Sequence, residues 1–230
     1  MLFRFTRAPK ITDGLLKEWI CSGNFNHANR ALAEINLAEY PDVLHFAAGI
    51  GAVEAVRYLV ENGAPINARH KGIADSLKAP EEGPTPLFMA ATARRHTVLE
   101  YLLCQRANPN LSCTYFPGGT RHSGLMPLHQ AVRINDARMV NSLLRYRADI
   151  SPQTSARETP LLIACQLGFW PIAEVLLTHG AIPDAPTAAP GGLTAIEMID
   201  ANPRLKKEFC DWRSKNEPNI AADAPRLLMA

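Results

Sequence analysis

No run of 18 apolar residues occurs in the chain, which leaves nothing long enough to cross a bilayer as a helix and no membrane partner to expect. Paired cysteine motifs are also missing. The five cysteines (Cys21, Cys104, Cys113, Cys165 and Cys210) are odd in number and contain no C-x-x-C, which argues against a disulfide framework or a zinc ribbon. Reduced thiols in an intracellular setting, cytoplasmic or nuclear, are the expectation. Cys21, Cys104 and Cys165 fall at helical positions where a small buried thiol would suffice. The basic start, Met1 to Lys10, lacks an apolar core long enough for a signal peptide. A large excess of one charge is absent too: 24 basic against 22 acidic residues leave +2, so the chain is not a polycation.

The linear marks of chemistry are equally scarce. There is no G-x-S-x-G and no H-E-x-x-H. Gly118-Gly119-Thr120 and Gly191-Gly192-Leu193-Thr194 resemble phosphate loops only faintly, because neither carries the Lys-Ser/Thr pair and neither is G-x-G-x-x-G. Cys113 and His122 flank one long stretch, but a metal there would need two further ligands. No catalytic, metal or cofactor-binding residue is therefore assigned, no cofactor is expected, and the chain reads as a non-enzyme.

What is present is a recurring phrase. Asp42-Val43-Leu44-His45-Phe46-Ala47-Ala48 returns as Thr85-Pro86-Leu87-Phe88-Met89-Ala90-Ala91, as Met126-Pro127-Leu128-His129-Gln130-Ala131-Val132 and as Thr159-Pro160-Leu161-Leu162-Ile163-Ala164-Cys165. A worn copy opens at Thr194. In the first copy Leu44, Ala47 and Ala48 share a helical face, Gly51 breaks the helix, Val53, Val56, Leu59 and Val60 resume it, and Gly63 ends it. Thr85-Pro86 and Thr159-Pro160 are good helix starts, since the hydroxyl accepts an orphan amide and proline loses no needed donor. Thr194 and Glu197 have capping-box spacing. Such short helices are marginal alone, so each hairpin needs a neighbour to cover its apolar side.

This pattern resembles the ankyrin family, whose unit of about 33 residues is built round T-P-L-H-x-A. Against that unit, the intervals following Asp42 and Thr85 carry insertions of roughly 10 and 8 residues. The resemblance implies an all-α ankyrin-repeat solenoid of stacked helix-turn-helix units joined by hairpin-like loops, two of them enlarged. The expected organisation is a basic arm over 1–12, one repeat domain over 13–212, and a tail over 213–230. Within the domain, a worn repeat at 13–39 is followed by repeats near 40–82, 83–123, 124–156 and 157–191 and a C-terminal cap over 192–212. Asp13, Leu15, Leu16, Ile20, Gly23, Ala28, Leu32 and Ile35 carry the worn first copy. Leu205, Phe209 and Trp212 supply the apolar side of the last helix.

The resemblance also implies a role for His45 and His129, whose imidazoles would bond neighbouring turns. It places the pairs Gly49-Ile50, Thr92-Ala93, Arg133-Ile134 and Gln166-Leu167 on a concave groove. Departures from the family pattern are confined to particular places. Arg106 and Arg147 stand where a helix-ending glycine is expected, and Arg94 and Asn135 where Gly51 and Gly168 stand at the inter-helix turn. Repeats two and three are accordingly expected to be the less stable ones.

Candidate partner-binding residues are Ile50, Arg133, Ile134, Leu167, Phe169 and Trp170 on the groove, with Tyr115, Phe116 and Arg121 on the second enlarged loop. Phe169 and Trp170 either form a hot spot or pack on the adjacent cap, and Tyr115 and Phe116 either project or fold back over the next repeat. Residues 94–158 hold nine arginines and no lysine, but these are scattered round the repeat, which makes nucleic acid an unlikely partner. The chain thus reads as a non-catalytic adaptor or inhibitor that binds another protein. The alternatives are a microbial effector or immunity protein that blocks a target enzyme, and a nucleic-acid binder or enzyme using the arginine-rich middle.

Overall fold

The computed structural model describes residues 17–18, 20–21, 41–70, 83–115, 122–183 and 194–216. Most of the worn first copy lies outside the described residues, although Lys17, Glu18, Ile20 and Cys21 are helical and Ile20 is buried. The chain divides into two units, residues 1–108 and 109–230.

The first unit contains two helical hairpins, α1 (Pro41–Ile50) with α2 (Val53–Glu61) and α3 (Pro86–Thr92) with α4 (His96–Cys104). Their apolar faces follow the helical spacing. Val43, Leu44, Ala47 and Ala48 of α1 are buried, as are Leu87, Phe88, Ala90 and Ala91 of α3, and these two helices pack on each other. Alanine at the shared positions lets the backbones approach closely enough for the outer helices to follow. Val60, expected in the apolar set of α2, is only half-buried.

The second unit opens with the antiparallel ladder β1 (Cys113–Tyr115) and β2 (His122–Leu125). It continues with the hairpins α5 (Pro127–Arg133) with α6 (Ala137–Arg145), α7 (Pro160–Gln166) with α8 (Trp170–Thr178), and α9 (Ala195–Asp200) with α10 (Pro203–Asn216). Here α5 packs on α7, α7 on α9, α6 on α8 and α8 on α10, so each hairpin covers the next.

One hydrogen-bond motif ends the paired helices. After α2, the Gly63 amide donates to Val60 and the Ala64 amide to Leu59, with Gly63 left-handed at φ 87°. This Schellman geometry recurs with Arg106 at 64° and Arg147 at 62°, and again at the inter-helix turns with Arg94 at 57° and Asn135 at 55°. The left-handed conformation is thus retained where glycine is not, because two helix-end carbonyls depend on it. Each side chain held there costs on the order of 1 kcal/mol. Arg157, at 57°, is a fifth case that the helix pattern does not reveal. Its signal is its position two residues before Thr159, the place that the left-handed Gly124 holds before Met126.

The helix starts are capped as their sequence requires. Thr85 accepts from the Phe88 amide and Thr159 from the Leu162 amide, each at 3.2 Å. Thr194 and Glu197 form the reciprocal box, with the Thr194 amide donating to the Glu197 carboxylate at 2.6 Å. Met126 has no hydroxyl to offer, and there the His129 Nδ1 accepts the Met126 amide at 3.1 Å.

The cysteines require a correction. Cys21 and Cys104 are helical but exposed, whereas the buried thiols are Cys113, in the ladder, and Cys165. Helical spacing alone does not say which side of an outer helix faces solvent. The last helix reaches Asn216, four residues past the expected boundary; the side chains of Leu205, Phe209 and Trp212 lie outside the described residues.

Candidate protein-binding surface

The histidines of the repeated phrase are structural. The His45 Nε2 bonds the Ala68 carbonyl at 2.9 Å, within the first unit. In the second unit His129 Nδ1 already accepts an amide, so the ring proton sits on Nε2 and is donated to the Pro152 carbonyl at 3.1 Å. Both nitrogens are therefore engaged. Burial lowers the His129 pKa to about 4, against the weaker raising effect of its backbone bonds to Pro152 and Glu158. A neutral imidazole with no lone pair to spare is a strut between helix and loop, not a base. Cys165 is inert for a related reason: burial pushes its thiol up to about 12. Among the described residues, no group of three or more His, Cys, Asp or Glu is arranged to hold a metal ion. No helix among them is long and apolar enough to cross a membrane.

The turn ends present the candidate groove residues. Ile50, the last residue of α1, is 39% exposed, whereas Val43, Leu44, Ala47 and Ala48 of the same helix are buried. Beside it, within the first unit, the Arg95 Nε donates to the Gly49 carbonyl at 3.0 Å and so ties the second inter-helix turn to the C-terminus of α1. In the second unit Ile134 and Leu167 cap the C-termini of neighbouring helices α5 and α7; Ile134 is half-buried and Leu167 is 49% exposed. Arg133, the last residue of α5, is half-buried. Phe169 and Trp170, at the start of α8, are both half-buried.

Trp170 and Pro171 form one wall of a cleft of about 100 Å³, completed by Glu174, Asn202 and Arg204. The indole therefore faces the start of α10 while remaining partly open to solvent. The Arg204 Nη2 reaches the Glu174 carboxylate at 3.3 Å. A cleft of this volume is well below the roughly 300–1,000 Å³ of small-molecule sites.

The second enlarged loop is raised on the β1–β2 ladder, with Cys113 opposite Leu125 and Tyr115 opposite His122. Its base is stapled to the following loop. Ser155 donates both its amide, at 3.0 Å, and its hydroxyl, at 3.1 Å, to the Ser123 carbonyl. Gly124, left-handed at 75°, lets β2 and the Ser155 turn come this close, since a Cβ there would lie 3.1 Å from the Ser155 nitrogen. Asn110 spans the same pair of loops, accepting from the Asp149 amide at 2.8 Å and donating to the Arg147 carbonyl at 3.2 Å. Tyr115 ends β1, but its side chain lies outside the described residues, as do Phe116 and Arg121 altogether.

Two features escape the sequence reading. Ile182 is 56% exposed directly after the fourth repeat's Gly180-Ala181. The signal for it is that the equivalent places after Ala107 and Ala148 hold Asn108 and Asp149. The partners of Trp170 in its cleft, Asn202 and Arg204, lie more than thirty residues away and carry no local mark.

Comparison with known proteins accords with this architecture. A family model described as ankyrin repeats (3 copies) matches residues 11–113, and one for the single ankyrin repeat matches 123–155 and 157–188. The chain is 44% identical over 63 residues to protein phosphatase 1 regulatory subunit 27 of Homo sapiens, covering 27% of this chain and 41% of that protein. With the Mus musculus protein of the same name it shares 43% over 78 residues, or 34% and 49% of the two chains. It is 29% identical over 161 residues to the glycerophosphocholine phosphodiesterase GDE1 of Candida albicans, covering 67% of this chain and 13% of that one. The chain thus spans less than half the length of each of these relatives. With repeat models covering most of its length and capped hairpins packed in series, the chain belongs to the ankyrin-repeat family.

Proposed function

We propose that the chain is a non-catalytic adaptor or inhibitor that captures another protein on the turn ends of its hairpins. The observation that carries this reading is the exposure of Ile50 and Leu167 at equivalent ends of α1 and α7, whose core-facing Leu44, Ala47, Leu161 and Ala164 are buried. Large aliphatic side chains held in water by a capped helix end lose little conformational freedom on docking, so their burial contributes almost fully to affinity. Two relatives bear the name of a regulatory subunit of protein phosphatase 1, which makes that phosphatase the first partner to try.

The test is affinity capture from native lysate, with purified protein phosphatase 1 in parallel, using the natural chain and the variants Ile50→Asp and Leu167→Asp. Loss of the captured protein from a variant whose circular dichroism and melting are unchanged supports the reading. Undiminished capture by both variants overturns the assignment of these surfaces.

A further inference from the structure

We propose that Asn62–Gly63, at the end of α2, is a site of spontaneous covalent modification, where the asparagine amide is lost through openings of that helix end to give aspartate and isoaspartate. Asn62 is the single asparagine of the chain that precedes a glycine. Glycine has no Cβ to hinder its nitrogen as a nucleophile, so Asn-Gly is the asparagine pair that reacts fastest. Both residues are exposed, and apart from the chain neighbours no atom lies within 4 Å of where a Gly63 Cβ would stand. Water reaches the pair, so the brake on the reaction is conformational.

The folded helix end supplies that brake. The Gly63 nitrogen must give up its proton to attack the Asn62 Cγ, yet its N–H donates to the Val60 carbonyl at 3.1 Å. Ring closure needs the Asn62 Cβ and the Gly63 nitrogen nearly eclipsed about the Cα–C bond, whereas Asn62, at φ −94° and ψ 18°, holds them well apart. The departing Nδ2 donates to the Tyr58 carbonyl at 2.8 Å. Turning Asn62 into the reactive conformation breaks the Gly63 bond together with that of the Ala64 amide to Leu59. Helix ends open at low free energy, so the folded chain reacts slowly instead of not at all. In the open state the Gly63 nitrogen bonds to Cγ, the Cγ–Nδ2 bond breaks, and Nδ2 leaves as ammonia with the Gly63 proton. Water then opens the cyclic imide at either carbonyl, its hydroxyl going to carbon and its proton to the imide nitrogen.

The product keeps the helix end open. Either acid loses the donor to Tyr58 and sets a carboxylate beside Glu61 at the negative end of the helix dipole. Isoaspartate also adds a methylene to the backbone, so the Gly63 and Ala64 amides no longer meet Val60 and Leu59 in register. The loosened segment runs into Asn67, whose side chain accepts the Asn108 amide at 2.9 Å and ties the first repeat's loop to the second's. The equivalent helix ends carry Gln105, Tyr146 and His179, none of which closes a five-membered ring, so the change is confined to the first unit.

The experiment ages the full chain at neutral pH and body temperature, folded and, in parallel, unfolded in urea. Chromatography and mass spectrometry of its peptides separate asparagine, aspartate and isoaspartate at each position. Asn62 is expected to convert in the folded chain roughly ten- to hundredfold more slowly than in the unfolded one. Asn141, which precedes Ser142 within α6 and donates to the Ala137 carbonyl at 2.9 Å, should stay intact in the folded chain. Low urea, below the unfolding transition, should raise the Asn62 rate and the exchange of the Ala64 amide together. In the separated isoaspartate form that amide should exchange at least tenfold faster than in fresh protein. Equal rates in the folded and unfolded chains overturn the inference, as does the absence of Asn62 product in the folded chain after ten half-lives of the unfolded one. So does a conversion rate that ignores Ala64 exchange, or unchanged Ala64 protection once Asn62 has converted.

Discussion

The guanidinium of Arg95 reaches back to the carbonyl of Gly49, so a side chain from one inter-helix turn satisfies the helix end of the preceding repeat. Gly51 makes room for it. A Cβ on Gly51 would lie 2.8 Å from the Arg95 Cδ, on a residue already left-handed at 86°. Stacking of the first two hairpins is therefore secured outside the apolar core as well as within it.

Gly51→Ala should destabilise the chain by about 1–2 kcal/mol, combining left-handed strain with displacement of Arg95. Urea unfolding is the check. Arg95→Ala should lower the midpoint less, and the double variant should cost less than the sum of the two. Strict additivity would show that the two residues act independently.

Replacing Arg106 or Arg147 with glycine should raise stability by about 0.5–1 kcal/mol, because the left-handed strain is relieved at a larger backbone entropy cost. Amide exchange should meanwhile find repeats two and three of the natural chain opening before the fourth. A lower urea midpoint in both glycine variants would contradict the strain account.

His129 makes stability depend on pH. Its folded pKa, about 4, lies below the ordinary 6.5. The unfolded chain therefore binds the extra proton first as pH falls. Its contribution is complete above about pH 6.5 and is lost on descending toward pH 4, by up to about 3 kcal/mol for this group. Urea unfolding at pH 7 and 4.5, compared with His129→Asn, should show a shallower pH slope in the variant. Parallel slopes would mean that other groups carry the effect.

Gly124→Ala should loosen the second enlarged loop from the connection between α6 and α7, since the added methyl presses on the Ser155 nitrogen and the Thr154 Cα. The Ser155 amide, bonded to Ser123, should then exchange at least tenfold faster with the helices unchanged. Unaltered protection there would place the fit of these loops elsewhere.

The hairpins were legible because everything that makes them is local. Apolar spacing, alanines at the close approach, Thr-Pro starts and the Thr194–Glu197 box each act within one turn of chain, and all are observed. The phrase that follows each insertion again starts a helix, at Pro86 and at Pro127. The left-handed arginines at 106 and 147 were readable from their neighbours' glycines, and Arg157 could have been read the same way.

The surface was only partly readable. Leu167 and Ile50 could be named, because a helix end has a definite outward side, but Cys104 and Ile182 could not be assigned to solvent nor Cys113 to the interior. Those outcomes depend on what packs alongside, which is chosen by residues distant in sequence. Trp170 is the clearest case: periodicity puts it at the first turn of a helix, and only the packing of α8 on α10 opposes it to Asn202 and Arg204. Short-range interactions decide which segments become capped hairpins. The concavities and charges offered to a partner arise where separate hairpins meet, and no single stretch of chain encodes that meeting.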